Sequence, residues 1–214
     1  MINFYNITDR QNQEYYEAIE AYKAGTPDEL QLKTELIDEK MDSGNAVIIM
    51  GKQNIVPAFM ALLWKLEGTN FMVNEIISII PSFKDLPFGK MYFDVLKHSE
   101  YYQNKHILFE VEDPEFGPDR AERLEKIDFY FSHGFQWMKN IKTIVPHPTG
   151  DSHENTLLML LTQNRFVEFS QEEIQSLLIK LYKDLYQTDK EAYILKEILN
   201  HLPEKIELSG KYYK

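Results

Sequence analysis

The sequence predicts an α/β (α+β) fold, with a mixed, mostly antiparallel central sheet flanked by helices and a helical C-terminal extension. Three observations lead there. The apolar runs Ala46 to Met50, Ile55 to Leu66 and Phe71 to Ile80 follow one another across the turn-forming stretches Gly51-Lys52-Gln53-Asn54 and Glu67-Gly68-Thr69-Asn70, as an antiparallel meander does. Past Pro81 the apolar period becomes helical, and helices then alternate with strands. From Ser170 onward only the helical period remains.

Taken in order, Ile2 to Ile7 alternates apolar and polar residues and reads as the first strand. A polar helix around Glu14 to Lys23 carries Tyr15, Ile19 and Tyr22 on one face, and Gly25 ends it. Thr26-Pro27-Asp28-Glu29 supplies a capping Thr, a Pro at the first helical position and a Glu three residues after the cap. That predicts a second helix, with Leu30, Ile37 and Met41 on its apolar side up to Gly44. After the meander, Phe88, Met91, Tyr92, Val95 and Leu96 recur at helical spacing, so a helix is expected from Pro87 to Tyr101. His106 to Glu112 is the next strand. Pro118 opens a helix bearing Leu124, Ile127 and Phe131, which Gly134 stops in the left-handed position that helix ends favour. Strands at Ile141 to Val145 and Thr156 to Leu161 flank a long turn, Pro146 to Asn155. In the extension, Ser170 and Glu173 form a capping box, Ile174, Leu177, Leu178, Leu181 and Leu185 make an apolar stripe, and a second helix runs near Lys190 to Asn200. Such a stripe must be buried, so the expected division is a domain over 1–165 and an extension over 166–214 that packs on it or mediates a homodimer.

Composition narrows the chemistry. With no cysteine in 214 residues, disulfides, thiolate zinc sites and a cysteine acyl-enzyme are excluded. Lys and Arg number 23 against 34 Asp and Glu, a net charge of −11 that would repel a nucleic-acid backbone, and no basic cluster offsets it. The longest apolar runs fall short of the ~18 to 20 residues that span a bilayer. The N-terminal MINFYNITDR does not read as a secretion signal, so the expectation is a cytoplasmic protein without nucleic-acid or membrane partners. Gly51-Lys52-Gln53 misses phosphate-loop spacing and reads as a turn. His147, Asp151, His153 and Glu154 lack the ordered spacing of a metal site and read as a solvated loop. Trp64 and Trp137 read as core.

Ile79-Ile80-Pro81-Ser82-Phe83-Lys84-Asp85-Leu86-Pro87-Phe88-Gly89 aligns without a gap on the acetyltransferase pattern V-x-P-E-x-R/Q-G-x-G-x-G/A. A turn of this kind before a helix N-terminus aims backbone N–H groups and the positive helix end at a pyrophosphate. Lys84 takes the Arg/Gln slot and Gly89 the last Gly slot, while Pro87 replaces the middle Gly and has no N–H to donate. Phe109-Glu110-Val111-Glu112-Asp113-Pro114, then Arg120, Arg123, Ile127, Phe129-Tyr130 and Gly134-Phe135, resemble a bacterial subgroup of the same GNAT family of acyl-CoA-dependent N-acetyltransferases, and Pro146-His147-Pro148 with the Leu157 to Leu161 strand continues the likeness. The resemblance covers residues 1–163, its specific parts lying within 75–163.

That resemblance implies a GNAT-like sheet, acetyl-CoA as co-substrate, no metal, and an amine-bearing small molecule or peptide as acceptor. Transfer within a ternary complex agrees with the missing cysteine. The amine must lose a proton, the thioester carbonyl needs hydrogen-bond donors and the thiolate needs a proton. Glu75 is the candidate base, since strand alternation places it with Ile77 and Ile79, whose backbones the resemblance sets beside the pantetheine arm. Glu110 and Glu112 are further candidates. The resemblance also makes backbone N–H groups near Ile79 the carbonyl donors and Tyr130, four positions before Gly134-Phe135, the acid for the thiolate. The expected acetyl-CoA contacts are Ile77, Ile79, Lys84, Asp85, Leu86, Phe88, Gly89 and Lys90. Pro87 motivates a second reading: a non-catalytic relative that binds acyl-CoA or works as an interaction module.

Overall fold

The computed structural model describes residues 1–146, 153–164, 167–186 and 192–212. They fall into two compact units, residues 1–65 with 72–103, and residues 66–71 with 104 onward. The expected class, antiparallel sheet with flanking helices, holds in both.

In the first unit, β1 (Ile2–Ile7), β2 (Ala46–Gln53), β3 (Val56–Lys65) and β4 (Phe71–Ile79) pair in that order, each antiparallel to the next. α1 (Gln13–Gly25) and α2 (Thr34–Asp42) cover one sheet face, burying Tyr15, Ile19, Tyr22, Ile37 and Met41 against Ile48, Met60, Leu62 and Ile76. α3 (Phe88–His98) packs on Phe59 of the other face: the Phe88 ring stacks on it at 5.9 Å, and the Tyr92 ring lies 5.0 Å away.

The second helix is shorter than expected. Asp28–Leu30 forms a 3-10 turn and α2 begins only at Thr34. Long-range bonds override the local capping signal. The Thr26 hydroxyl donates to Ser78 Oγ at 2.9 Å, and the Leu32 N–H donates to the Tyr22 hydroxyl at 2.6 Å. The helix expected to reach Tyr101 is likewise divided, because Ser99 is extended and its hydroxyl bonds Leu96 O at 2.6 Å; α4 (Glu100–Asn104) follows.

β4 carries a β-bulge. Leu62 pairs with Ile76 and Leu63 with Asn74, so Glu75 is an extra residue without a partner on β3. Asn74 braces it, its side-chain N–H donating to Ile76 O at 3.0 Å while the Tyr92 hydroxyl of α3 donates to Asn74 Oδ1.

The second unit holds β5 (His106–Glu112), β6 (Gln136–Pro146), β7 (His153–Leu161) and β8 (Leu208–Ser209), paired antiparallel in the order β5-β7-β6-β8. Its helices are α5 (Arg120–Ser132), α6 (Gln171–Lys180), which runs into a π-helical turn over Leu181–Leu185, and α7 (Ala192–Asn200). Gly134 is left-handed at φ 89°, as expected, and the Ser170–Glu173 capping box forms with bonds of 2.9 and 3.2 Å. β6 starts five residues earlier than its apolar pattern suggested, because a register shift between Trp137 and Lys142, with Asn140 left-handed at φ 61°, breaks the alternation. Extension residues are built into this unit. The Tyr182 hydroxyl donates to Ile144 O at 2.7 Å and accepts from Ile144 N–H at 3.0 Å, and Leu208 pairs with Met138. Lys190 and most of the Pro146 to Asn155 turn lie outside the described residues. Among the described residues no helix is long and apolar enough to cross a membrane.

Candidate active site

The bulge decides where Glu75 points. Without it, Glu75 would share the face of Ile77 and Ile79, as strand alternation predicts. With one inserted residue the phase shifts, and Glu75 joins Ile76 on the α1–α2 face. The expectation that Glu75 lies with Ile77 and Ile79 is thereby corrected, and Asn74 takes that position instead.

On the α1–α2 face, both Glu75 oxygens accept from Lys40 Nζ of α2 at 2.9 Å. The two side chains are only 8% and 12% exposed for Lys40 and Glu75 respectively, so solvent screens the pair little. The ammonium also lies over the Trp64 ring, 4.8 Å from its centroid. Burial pushes the Glu75 carboxyl above the usual carboxylate range, and Lys40 opposes that rise. The Tyr22 phenol is raised too, by its own burial and by the Glu75 charge. Sequence reasoning missed Lys40. Its signal was present: Lys40 follows Ile37 by three positions and precedes Met41, so a charge sits within an apolar helical stripe.

The remainder of β4 leads into the turn that the motif resemblance marks for phosphate. Ile77 is 37% exposed, an open apolar side chain beside Ser78, which is buried. Pro81–Phe83 forms a 3-10 turn, and Pro87 stands at the N-cap of α3. Lys84, Asp85 and Lys90 are exposed, and neither lysine makes an ion pair among the described residues. The Leu86 N–H donates to Phe83 O at 3.0 Å and the Phe88 N–H to Leu86 O at 2.8 Å, so both are engaged within the turn. The Phe88 side chain is fully buried in the core, leaving it no outward role. Gly89 and Lys90, in the first turn of α3, offer the backbone N–H groups that no local carbonyl takes.

Tyr130 lies in the second unit on α5, 7% exposed, with the Phe109 ring at 5.5 Å and the Phe135 ring at 5.1 Å. Burial raises its phenol, and Glu112 adds to the rise. Glu110 accepts from the Tyr186 hydroxyl, and Glu112 lies 3.6 Å from Arg123. Trp137 packs on Tyr212 at 5.0 Å. Of the early tyrosines, Tyr15 donates to Asp38, while Tyr16 is exposed. His147, Asp151 and the side chains of His153 and Glu154 lie outside the described residues. Among the described residues no three His, Asp or Glu side chains gather as metal ligands would.

The sequence matches no protein-family model and no curated protein. Solved structures do match. A GNAT-family protein from Bacteroides thetaiotaomicron superposes with a TM-score of 0.69 at 21% identity, covering 87% of this chain and 99% of its own. The ribosomal-protein-S18-alanine N-acetyltransferase from Escherichia coli gives 0.55 at 16% identity, over 79% of this chain and 100% of its own. An aminoglycoside 6'-N-acetyltransferase complexed with coenzyme A gives 0.53 at 13% identity, over 76% of this chain and 96% of its own. By that likeness, and by the helix-flanked antiparallel sheets described above, the chain has the fold of the GNAT acetyltransferases.

Proposed function

We propose that the protein is an acetyl-CoA-dependent N-acetyltransferase that moves the acetyl group directly to a primary amine of a small molecule or peptide. The observation that carries this reading is the turn from β4 into α3. Gly89 and Lys90 N–H groups that no carbonyl takes among the described residues stand at a helix N-terminus and, with the exposed ammonium groups of Lys84 and Lys90, suit a pyrophosphate, on a fold shared with acetyltransferases. Asp85 and Leu86 shape the turn, Phe88 anchors it in the core, and Ile77 and Ile79 offer apolar edge to the pantetheine arm.

In the reaction the amine nitrogen attacks the thioester carbonyl carbon and the carbon–sulfur bond breaks. Glu75 takes the amine proton, directly or through water, which a carboxylate with an elevated pKa does well near neutral pH. Tyr130, kept protonated by its burial, returns a proton to the departing thiolate. The products are the N-acetylated amine and free CoA.

Pro87 supports the second reading, a non-catalytic acyl-CoA-binding relative, because the turn offers no donor at Pro87 and none spare at Phe88. Release of free CoA from acetyl-CoA, followed with a thiol reagent across a panel of primary amines, separates the two. Amine-dependent release supports the enzyme. Binding of acetyl-CoA without release by any amine supports the non-catalytic relative.

A further inference from the structure

Resting on the assignment of Glu75 as base, we propose that Lys40 is its positioning residue: from α2 it clamps both carboxylate oxygens at the β4 bulge and holds them ionised. The pairing with β3 does not do this. Glu75 is skipped in that register, and a carboxylate in an apolar setting favours its protonated form, which accepts no proton from an amine.

Lys40 answers both needs. Two 2.9 Å bonds from one ammonium fix the carboxylate plane, and each oxygen keeps a lone pair for an amine or a bridging water. The ammonium is itself located by the Trp64 ring, and the Ser43 hydroxyl bonds the Lys40 carbonyl at 2.7 Å near the end of α2. Among the described residues, Lys40 of α2 pairs with Glu75 and the Tyr22 phenol of α1 feels its charge, while the uncharged Trp64 ring of β3 faces the Lys40 ammonium. Tyr22 is uncharged at neutral pH, its phenol raised by burial, so Lys40 supplies the positive charge that opposes burial. This is a role for a residue on α2 rather than for another group along the turn proposed for acetyl-CoA.

The test reads the Glu75 carboxyl directly and reads turnover beside it. Carbon-13 labelling of glutamate carboxyls, with Glu75→Gln to assign the signal, gives the Glu75 titration in the folded protein. Turnover against pH is measured with acetyl-CoA and the best primary amine of the panel. Lys40→Gln keeps a hydrogen-bond donor but removes the charge, and both the carboxyl midpoint and the rising limb of kcat/KM should move up by about one pH unit or more. Lys40→Arg should return both toward the parent values. An unmoved carboxyl midpoint in folded Lys40→Gln overturns the proposal. Should Lys40→Gln fail to fold, the nitrogen-15 signal of Lys40 Nζ in the unaltered protein decides: it must change as the Glu75 carboxyl protonates, and an unchanged signal overturns the proposal. Parent-level turnover by Glu75→Gln instead overturns the assignment of the base itself, and the two failures are thereby distinct.

Discussion

Burial acts with the same sign on Glu75, which is largely covered, and on Tyr130, which is buried, and the proposed reaction uses the two shifts in opposite ways. A carboxylate pushed up becomes a better base near neutrality, whereas a phenol pushed up remains a proton donor throughout the working range. The Glu75 shift fixes the direction of a pH effect. Protonation removes the base, so turnover should fall on acidification through a midpoint above the usual carboxylate range and recover as the pH rises. Glu75→Gln should lower kcat by about 10² to 10⁴, the typical contribution of a general base, and abolish that limb. Tyr130→Phe keeps the ring that packs on Phe109 and Phe135, so turnover should drop while acetyl-CoA affinity measured by calorimetry stays near the parent value. Lys84 is exposed, so the phosphate contact proposed for it would be screened by salt. Lys84→Ala should therefore weaken acetyl-CoA binding more at low ionic strength than at high, and equal weakening at both would argue against a direct charge contact.

Among the elements, α1 and β4 are joined most closely at Gly25. A Cβ there would meet Ser78 Oγ at 2.3 Å and the Ile79 backbone at 2.8 to 2.9 Å, closer than real contacts allow. Gly25 thus permits helix and strand to approach, in addition to ending the helix. Gly25→Ala should destabilise the protein by about 1–3 kcal/mol, the usual effect of overpacking, read as a lower denaturant midpoint with an unchanged slope. At the other end of the chain, Ser170→Ala removes one half of a formed capping box and should cost about 1 kcal/mol by the same measurement. The two positions also show what a sequence can reveal. The Ser170 cap is local, four residues long, and was readable. The Thr26-Pro27 signal was equally strong locally, yet Ser78 claims the Thr26 side chain and Tyr22 binds the Leu32 N–H, so the helix starts at Thr34.

For the whole molecule, the class of fold was legible because apolar periods of two and of 3.6 residues are long-range averages that survive local exceptions. The sites were less so. The motif singles out the turn proposed for the phosphates, but the engagement of the Phe88 N–H by Leu86 depends on the path of the chain through the N-cap. A strict period of two counted back from Ile77 and Ile79 sets Glu75 on their face, and the apolar run Phe71 to Ile80 does not show where the bulge falls, so the face of Glu75 was misjudged and Lys40 went unnoticed. Likeness to solved structures at 21% identity and below fixes the fold, and chemistry must come from ligand binding. Calorimetric titration of the full chain with acetyl-CoA tests this most directly. Saturable heat, with a rise in unfolding temperature that grows with ligand concentration, is the expected result. Neither heat nor thermal stabilisation at about millimolar acetyl-CoA, roughly the weakest binding such a site would show, would contradict the assignment.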